Sequence, residues 1–162
     1  MRVEETMIKE NSKAPEFELK NLKEEIVKLT NFAGKPFILY FYPKDDTPGC
    51  TTEACNFRDD FSQFNELGIE IVGVSPDSSK SHQKFAEKHH LPFTLLSDEG
   101  HKVAEKYEVW GKKKFIGKEY DGIYRTTFLI DKNGNIAKVF EGVKPANHSQ
   151  EVLSEAKKLL QL

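Results

Sequence analysis

Residues Phe37 to Tyr42 form an unbroken run of apolar and aromatic side chains, cut off by Pro43. A strand with no polar residue has no face to give to water. It belongs in the middle of a sheet that is covered on both sides, and a proline, lacking an N–H, ends its ladder. Two further runs, Ile69 to Ser75 and Thr126 to Asp131, read as buried strands of the same sheet. The segment from Thr51 to Leu67 instead carries Ala54, Phe57, Phe61 and Phe64 at intervals of three and four, and stops at Gly68. That spacing predicts a helix. A second helix is expected from Ser78 or Ser79 to about His89, with Phe85 and Ala86 inward. Strands alternating with helices argue for a layered α/β domain.

The remaining segments fit that layout. Phe17 to Lys20 and Glu25 to Leu29 read as a β-hairpin around Asn21-Leu22-Lys23-Glu24. Thr30 is read as the cap of a short turn that ends at Gly34. Phe93 to Leu96 reads as a short strand and Lys102 to Tyr107 as one or two helical turns. Lys132-Asn133-Gly134-Asn135 turns the chain into a returning strand, Ile136 to Glu141. This late hairpin makes the central sheet mixed. Ser149 to Leu162 is expected to be an amphipathic helix with Val152, Leu153, Ala156, Leu159 and Leu160 inward. The Lys112-Lys113-Lys114 stretch reads as an insertion and is assigned no element. With 162 residues, a single domain spanning 1–162 is expected.

Composition narrows the partners. A net charge of −2 gives no reason to expect nucleic acid or a membrane surface. Met1 to Asn11 is charged and mixed with no apolar stretch, so no signal peptide is read there and the cytoplasm is the expected location.

Both cysteines lie in Pro43-Lys44-Asp45-Asp46-Thr47-Pro48-Gly49-Cys50-Thr51-Thr52-Glu53-Ala54-Cys55. Cys50 falls in the first turn of a helix, just off the end of a strand. Free N–H groups and the positive end of the helix dipole favour an anion there, so this is where a thiol ionises most easily. Such a thiolate, with a second cysteine five residues on, suits reversible thiol oxidation. Other thiol chemistries fit less well. A zinc site wants about four ligands, and the five histidines have no motif spacing to the cysteines. They are read as surface or helix-end residues. The cysteine spacing is wider than Cys-x-x-Cys, and nothing marks the histidine and oxyanion hole of a cysteine hydrolase.

Around Cys50 the local chemistry can be read further. Thr47 stands before Pro48, so it takes the N-cap position and places Cys50 third in the helix. Its hydroxyl either only caps the helix or also faces the sulfur and any peroxide held there. Glu53 lies three residues after Cys50, and a bare carboxylate there opposes a thiolate. It makes sense only with an arginine between them. All but three of the 24 basic residues are lysine, and the arginines are Arg2, Arg58 and Arg125. Arg125, at the start of a strand, and Arg58, on the cysteine helix, are the candidates, and Asp59 offers Arg58 a surface ion pair instead. The two cysteines raise a geometric problem. Residues five apart in an α-helix have Cα atoms about 8.6 Å apart, whereas a disulfide needs about 7 Å or less. If Cys50 and Cys55 bond, the first helical turns must unwind.

The string Phe41 to Cys55 closely resembles the signature of the peroxiredoxins, above all their bacterioferritin comigratory protein (peroxiredoxin Q) branch. Arg125-Thr126-Thr127-Phe128-Leu129-Ile130-Asp131, Val72-Gly73-Val74-Ser75 and Leu95-Leu96-Ser97-Asp98 are similar to that family too. The resemblance runs from about Ala14 to the end. It implies a thioredoxin-like fold with an N-terminal hairpin extension, and a thiol peroxidase acting on hydrogen peroxide and organic hydroperoxides. Cys50 takes the place of the peroxidatic cysteine and Cys55 that of a resolving cysteine, joined to it as an intramolecular disulfide in turnover. Thr47 matches the residue that binds peroxide, Pro43 the one that shields the site, Arg125 the one that stabilises the thiolate, and Glu53 the arginine's buttress. Thioredoxin or a similar dithiol is the implied reductant. No metal, haem or flavin is implied, and the expected assembly is a monomer or a weak homodimer.

Overall fold

A computed structural model describes residues 8–160. Residues 1–7 and 161–162 lie outside the described part, including the start of the segment read for a signal peptide and the last two residues of the segment read as the final helix. β1 (Glu18–Asn21) and β2 (Ile26–Lys28) form the expected hairpin, with the Asn21 side chain accepting from the Lys23 and Glu25 amides across its turn. A 3-10 turn, Leu29–Phe32, follows, so Thr30 lies inside the turn rather than capping it. β3 (Phe37–Phe41), α1 (Pro48–Asp59), α2 (Phe61–Glu66), β4 (Glu70–Ser75) and α3 (Ser79–His89) build the centre. β5 (Thr94–Ser97), α4 (Lys102–Lys106), β6 (Trp110–Phe115) and β7 (Lys118–Ile123) come next. β8 (Thr126–Ile130), β9 (Ile136–Phe140) and α5 (His148–Leu159) complete the chain.

Seven strands form one mixed sheet in the order β2-β1-β5-β4-β3-β8-β9. β3, β4 and β5 run parallel, while β8 pairs antiparallel with β3. Every residue of β3 is buried, as its unbroken apolar run demands. The pleat sends Phe37, Leu39 and Phe41 into one core and Ile38, Tyr40 and Tyr42 into the other. The first core is closed by Phe17, Phe32 and Tyr107, and the second by α1, α2, α3 and α5 through Phe57, Phe64, Phe85 and Val152.

Two further readings of the sequence need correction, and one stretch assigned no element finds its place. The helix starts at Pro48, after the Thr47 cap position as read, but the stretch expected to run on to Leu67 breaks at Asp60. A second carboxylate at the negative end of α1 is unfavourable, whereas the same aspartate at the positive start of α2 is favoured. Its oxygens are further held by Ser149 at 2.6 Å and Gln63 at 3.3 Å. Leu159 was expected inward on α5 but is 44% exposed, while Val152, Leu153 and Ala156 fill the core. The stretch around Lys112 to Lys114 is one arm of the β6–β7 hairpin, a separate two-stranded sheet turning at Ile116 and Gly117. Both turn residues are left-handed, with φ of 49° and 74°. Such a pair matches the twist of a two-residue hairpin, even with an isoleucine in it. Most of this hairpin's side chains meet water, so it lacks the alternation that reveals a strand.

Candidate functional site

β3 ends under the protein surface and hands the chain to a loop, Tyr42 to Thr47, that leads into α1. Half-buried Pro43 breaks the strand at this point. Thr47 takes the extended N-cap conformation and Pro48 the first helical position, so Cys50 is third in α1 as read from the sequence. The first backbone bond of the helix runs from the Thr51 amide to the Thr47 carbonyl at 2.8 Å. The amides of Gly49 and Cys50 precede it and belong to the helix's open donor end. Contrary to the sequence reading, the Thr47 hydroxyl does not cap the helix. It donates to the Lys44 carbonyl at 2.9 Å, which leaves the oxygen's lone pairs available as acceptors.

Arg125 immediately precedes β8, which pairs with β3, and this places its side chain over the start of α1. One guanidinium nitrogen, Nη2, lies 3.0 Å from Cys50 Sγ, and the other, Nη1, donates to Glu53 Oε1 at 3.0 Å. The arginine thus stands between sulfur and carboxylate, the arrangement that the Cys50–Glu53 spacing demands. Arg58, the alternative candidate, points elsewhere. Its Nε pairs with exposed Asp59 at 3.0 Å and its Nη1 donates to the His89 carbonyl at 2.8 Å.

Cys50 is 1% exposed, and Glu53 is equally buried. Burial pushes Glu53 up to about 7, against the opposing pull of Arg125. The reason is visible in its two oxygens: Oε1 accepts from Arg125, but Oε2 has no partner among the described residues. Tyr40, whose buried hydroxyl also lacks a partner among the described residues, is pushed well up by burial and then by the Glu53 and Cys50 charges. Gly49 is needed for the approach of the arginine. A Cβ at that position would come within 2.8 Å of Arg125 Nη2.

Cys55 is half-buried, one and a half turns further along the same continuous helix, and both thiols are free. The far half of α1 is tied to the segment before α5, with Asn56 Nδ2 donating to the Pro145 carbonyl at 2.9 Å.

His82 is a further correction, since it lies inside α3 and is fully enclosed rather than at the surface or a helix end, whereas His148 stands at a helix end as read, the first residue of α5, but is buried there. His148 Nε2 is 2.8 Å from Thr127 Oγ1 and its Nδ1 2.9 Å from Glu151 Oε1, while its ring packs edge-on against Phe57. His82 sits beneath the loop, 2.7 Å from Asp45 Oδ2. Asp45, Asp77 and His82 lie close enough to suggest a metal centre. However, the Asp45 oxygens accept from Tyr42, Ser81 and His82, and Asp77 Oδ2 accepts from the Asp45 amide and Ser75. These oxygens are engaged with hydrogen-bond donors rather than turned to a cation. Sequence spacing alone gave no sign of either buried histidine. The only available signal for His82 was its place three residues before Phe85, on the inner face of α3.

Comparison with known proteins fits this geometry. The AhpC/TSA family matches residues 11–139. Peroxiredoxin Bcp of Bacillus subtilis (strain 168) is 57% identical over 145 residues, covering 90% of this chain and 92% of that one. Peroxiredoxin Bcp of Escherichia coli (strain K12) is 48% identical, covering 87% and 90%. Among solved structures, Xanthomonas campestris peroxiredoxin Q superposes with a TM-score of 0.83 at 37% identity, over 88% of this chain and 90% of that one. Peroxidoxin BcpB from Mycobacterium tuberculosis gives 0.83 at 32% identity, over 94% and 98%. The fold is therefore the thioredoxin-like one expected.

Proposed function

The chain belongs to the AhpC/TSA family as a thiol-dependent peroxidase of the Bcp type, and we propose that Cys50, Thr47, Arg125, Glu53, Pro43 and Cys55 carry out its reaction. The carrying observation is the guanidinium held 3.0 Å from both the Cys50 sulfur and the Glu53 carboxylate. It keeps positive charge on the sulfur without letting the nearby carboxylate repel it.

In the proposed reaction, the Cys50 thiolate attacks one peroxide oxygen. An S–O bond forms, the O–O bond breaks, and two electrons pass from sulfur to the peroxide. The leaving oxygen takes a proton and departs as water or an alcohol, while Cys50 becomes a sulfenic acid. Thr47, Arg125 and the open amides at the start of α1 hold the peroxide where negative charge develops on the leaving oxygen. Pro43 shields the site from the side of the loop. The Cys55 thiol then displaces hydroxide from Cys50, water leaves, and a Cys50–Cys55 disulfide remains. Both residues lie in one intact helix, so this step unwinds the start of α1. A thioredoxin-type dithiol returns both thiols to the reduced state by exchange. We place the enzyme in the cytoplasm, where thiols are kept reduced. We read it as a single domain that acts as a monomer or a weak homodimer, a reading supported by a site whose Arg125, Cys50 and Glu53 come from one chain.

One equivalent of hydrogen peroxide tests the scheme. The intact mass should fall by about 2 Da with loss of both thiols. Cys55→Ser should consume the same equivalent, stop at the Cys50 sulfenic acid and lose thioredoxin-driven turnover. An unchanged mass with both thiols intact removes Cys50 from the reaction, and full turnover by Cys55→Ser removes Cys55.

A further inference from the structure

The loop that carries Pro43 and Thr47 is fastened to α3 through two successive aspartates. Asp45 is turned inward and is 8% exposed, and His82 beneath it is 0% exposed. Asp45 Oδ1 accepts from the Tyr42 hydroxyl at 2.6 Å. Its Oδ2 contacts His82 Nδ1 at 2.7 Å and accepts from Ser81 Oγ at 2.8 Å. The Asp45 amide donates to Asp77 Oδ2 at 2.7 Å. His82 Nε2 meets the Leu96 carbonyl of β5 at 3.0 Å. The ring therefore lies between a carboxylate and a carbonyl. With a proton on each nitrogen, both contacts are N–H donations to acceptors. The next residue, Asp46, has a left-handed φ of 59° and is held at the other end of α3 by Lys88 at 2.8 Å and His89 at 3.1 Å.

We propose that Asp45 and His82 are positioning residues for peroxide attack, pinning the Pro43–Thr47 loop to α3 and β5 so that the Thr47 hydroxyl is presented at Cys50. The proposal rests on the role assigned above to Thr47. Neither Asp45 nor His82 touches Cys50 or Arg125 in the contacts described, so the guanidinium–sulfur contact is built independently of them. The Asp45 clasp acts on the chain two residues before Thr47. A buried clasp with every Asp45 oxygen occupied has one geometry, and the loop inherits it. Misplacing a binding group by about 1 Å costs on the order of 100-fold in rate. The pair thus tunes peroxide attack and leaves the sulfur's own environment alone.

The test compares two reactions of Cys50 in reduced protein, oxidation by hydrogen peroxide and alkylation by iodoacetamide, in wild type, Asp45→Asn, His82→Gln and the double variant. Each single variant should lose about 10- to 100-fold in peroxide rate, with alkylation within twofold of wild type. The double variant should be no slower than the worse single. Ser81→Ala removes one of the clasp's bonds with little risk to folding, and should lose about two- to fivefold with the same split, so it decides the matter if the larger changes fail to fold. A peroxide rate within twofold of wild type in a folded Asp45→Asn or His82→Gln overturns the proposal. So does multiplication of the two single effects, or faster alkylation, because a merely structural loosening would expose Cys50. If wild type itself shows no fast peroxide reaction, the reading of Cys50 and Thr47 has failed, and this proposal falls with it.

Discussion

Replacing Glu53 by glutamine keeps the shape of the side chain and its acceptor for Arg125 but removes a buried charge. In the folded protein Glu53 titrates at about 7, against 4.5 for an ordinary glutamate. Between those values the folded state holds a proton that the unfolded chain has released. The native form then binds more protons than the unfolded one, so stability falls as pH rises through this window and levels off above about 7. A displacement of this size corresponds to roughly 3 kcal/mol. No discount for solvent screening applies, because Glu53 is 1% exposed. Wild type and Glu53→Gln should therefore differ least at pH 4.5, and the variant should gain on wild type by roughly 3 kcal/mol on going to pH 8. Urea unfolding of the reduced proteins at several pH values measures this directly. Asp98, raised by burial, bends the pH dependence the same way as Glu53, and His148, lowered by burial, bends it the opposite way. The difference between variant and wild type cancels both. A difference that stays flat from pH 4.5 to 8 would refute the reasoning, since ionised Glu53 would then be fully compensated by Arg125.

Three further outcomes follow from the site. Arg125→Lys should slow peroxide consumption by about 100-fold, because a point charge cannot serve Cys50 and Glu53 at once as the fork does. Arg58→Lys should stay within twofold, and the reverse order would move the catalytic role to Arg58. Gly49→Ala adds helix propensity, worth up to about 1 kcal/mol, yet its Cβ meets Arg125 Nη2 at 2.8 Å. It should be no less helical by circular dichroism but about tenfold slower with peroxide, and an unchanged rate would show that the arginine has room to spare. Oxidation by one equivalent of peroxide should raise amide deuterium uptake across the first two turns of α1 at least tenfold, while the part beyond Asn56, tied at Pro145 and Ser149, stays protected. A disulfide formed with no change in exchange would mean that the helix accommodates it without unwinding.

Local order supplies most of the site, and the sequence displays local order. Phe37 to Tyr42 can only be a central strand, Pro43 must end it, and Thr47-Pro48 must open a helix with Cys50 in its first turn. Each of those statements concerns neighbours along the chain, where periodicity and backbone chemistry act directly. The need for a cation between Cys50 and Glu53 was also legible, as a matter of charge. Which arginine answers it was not, because the choice rests on the antiparallel pairing of β8 with β3, a contact between residues far apart in the chain. Two other features lay beyond the sequence for the same reason. His82 looks like one more polar residue on a lysine-rich helix, until the fold sets Asp45 against one nitrogen and the Leu96 carbonyl against the other. The β6–β7 hairpin carries no alternation because neither of its faces packs broadly on the core. The chain by itself determined the proposed nucleophile, its helix and the chemistry that the two demand. Only tertiary structure decided which distant side chains meet them, since burial and long-range pairing, not local propensity, bring Arg125, Asp45 and His82 into place.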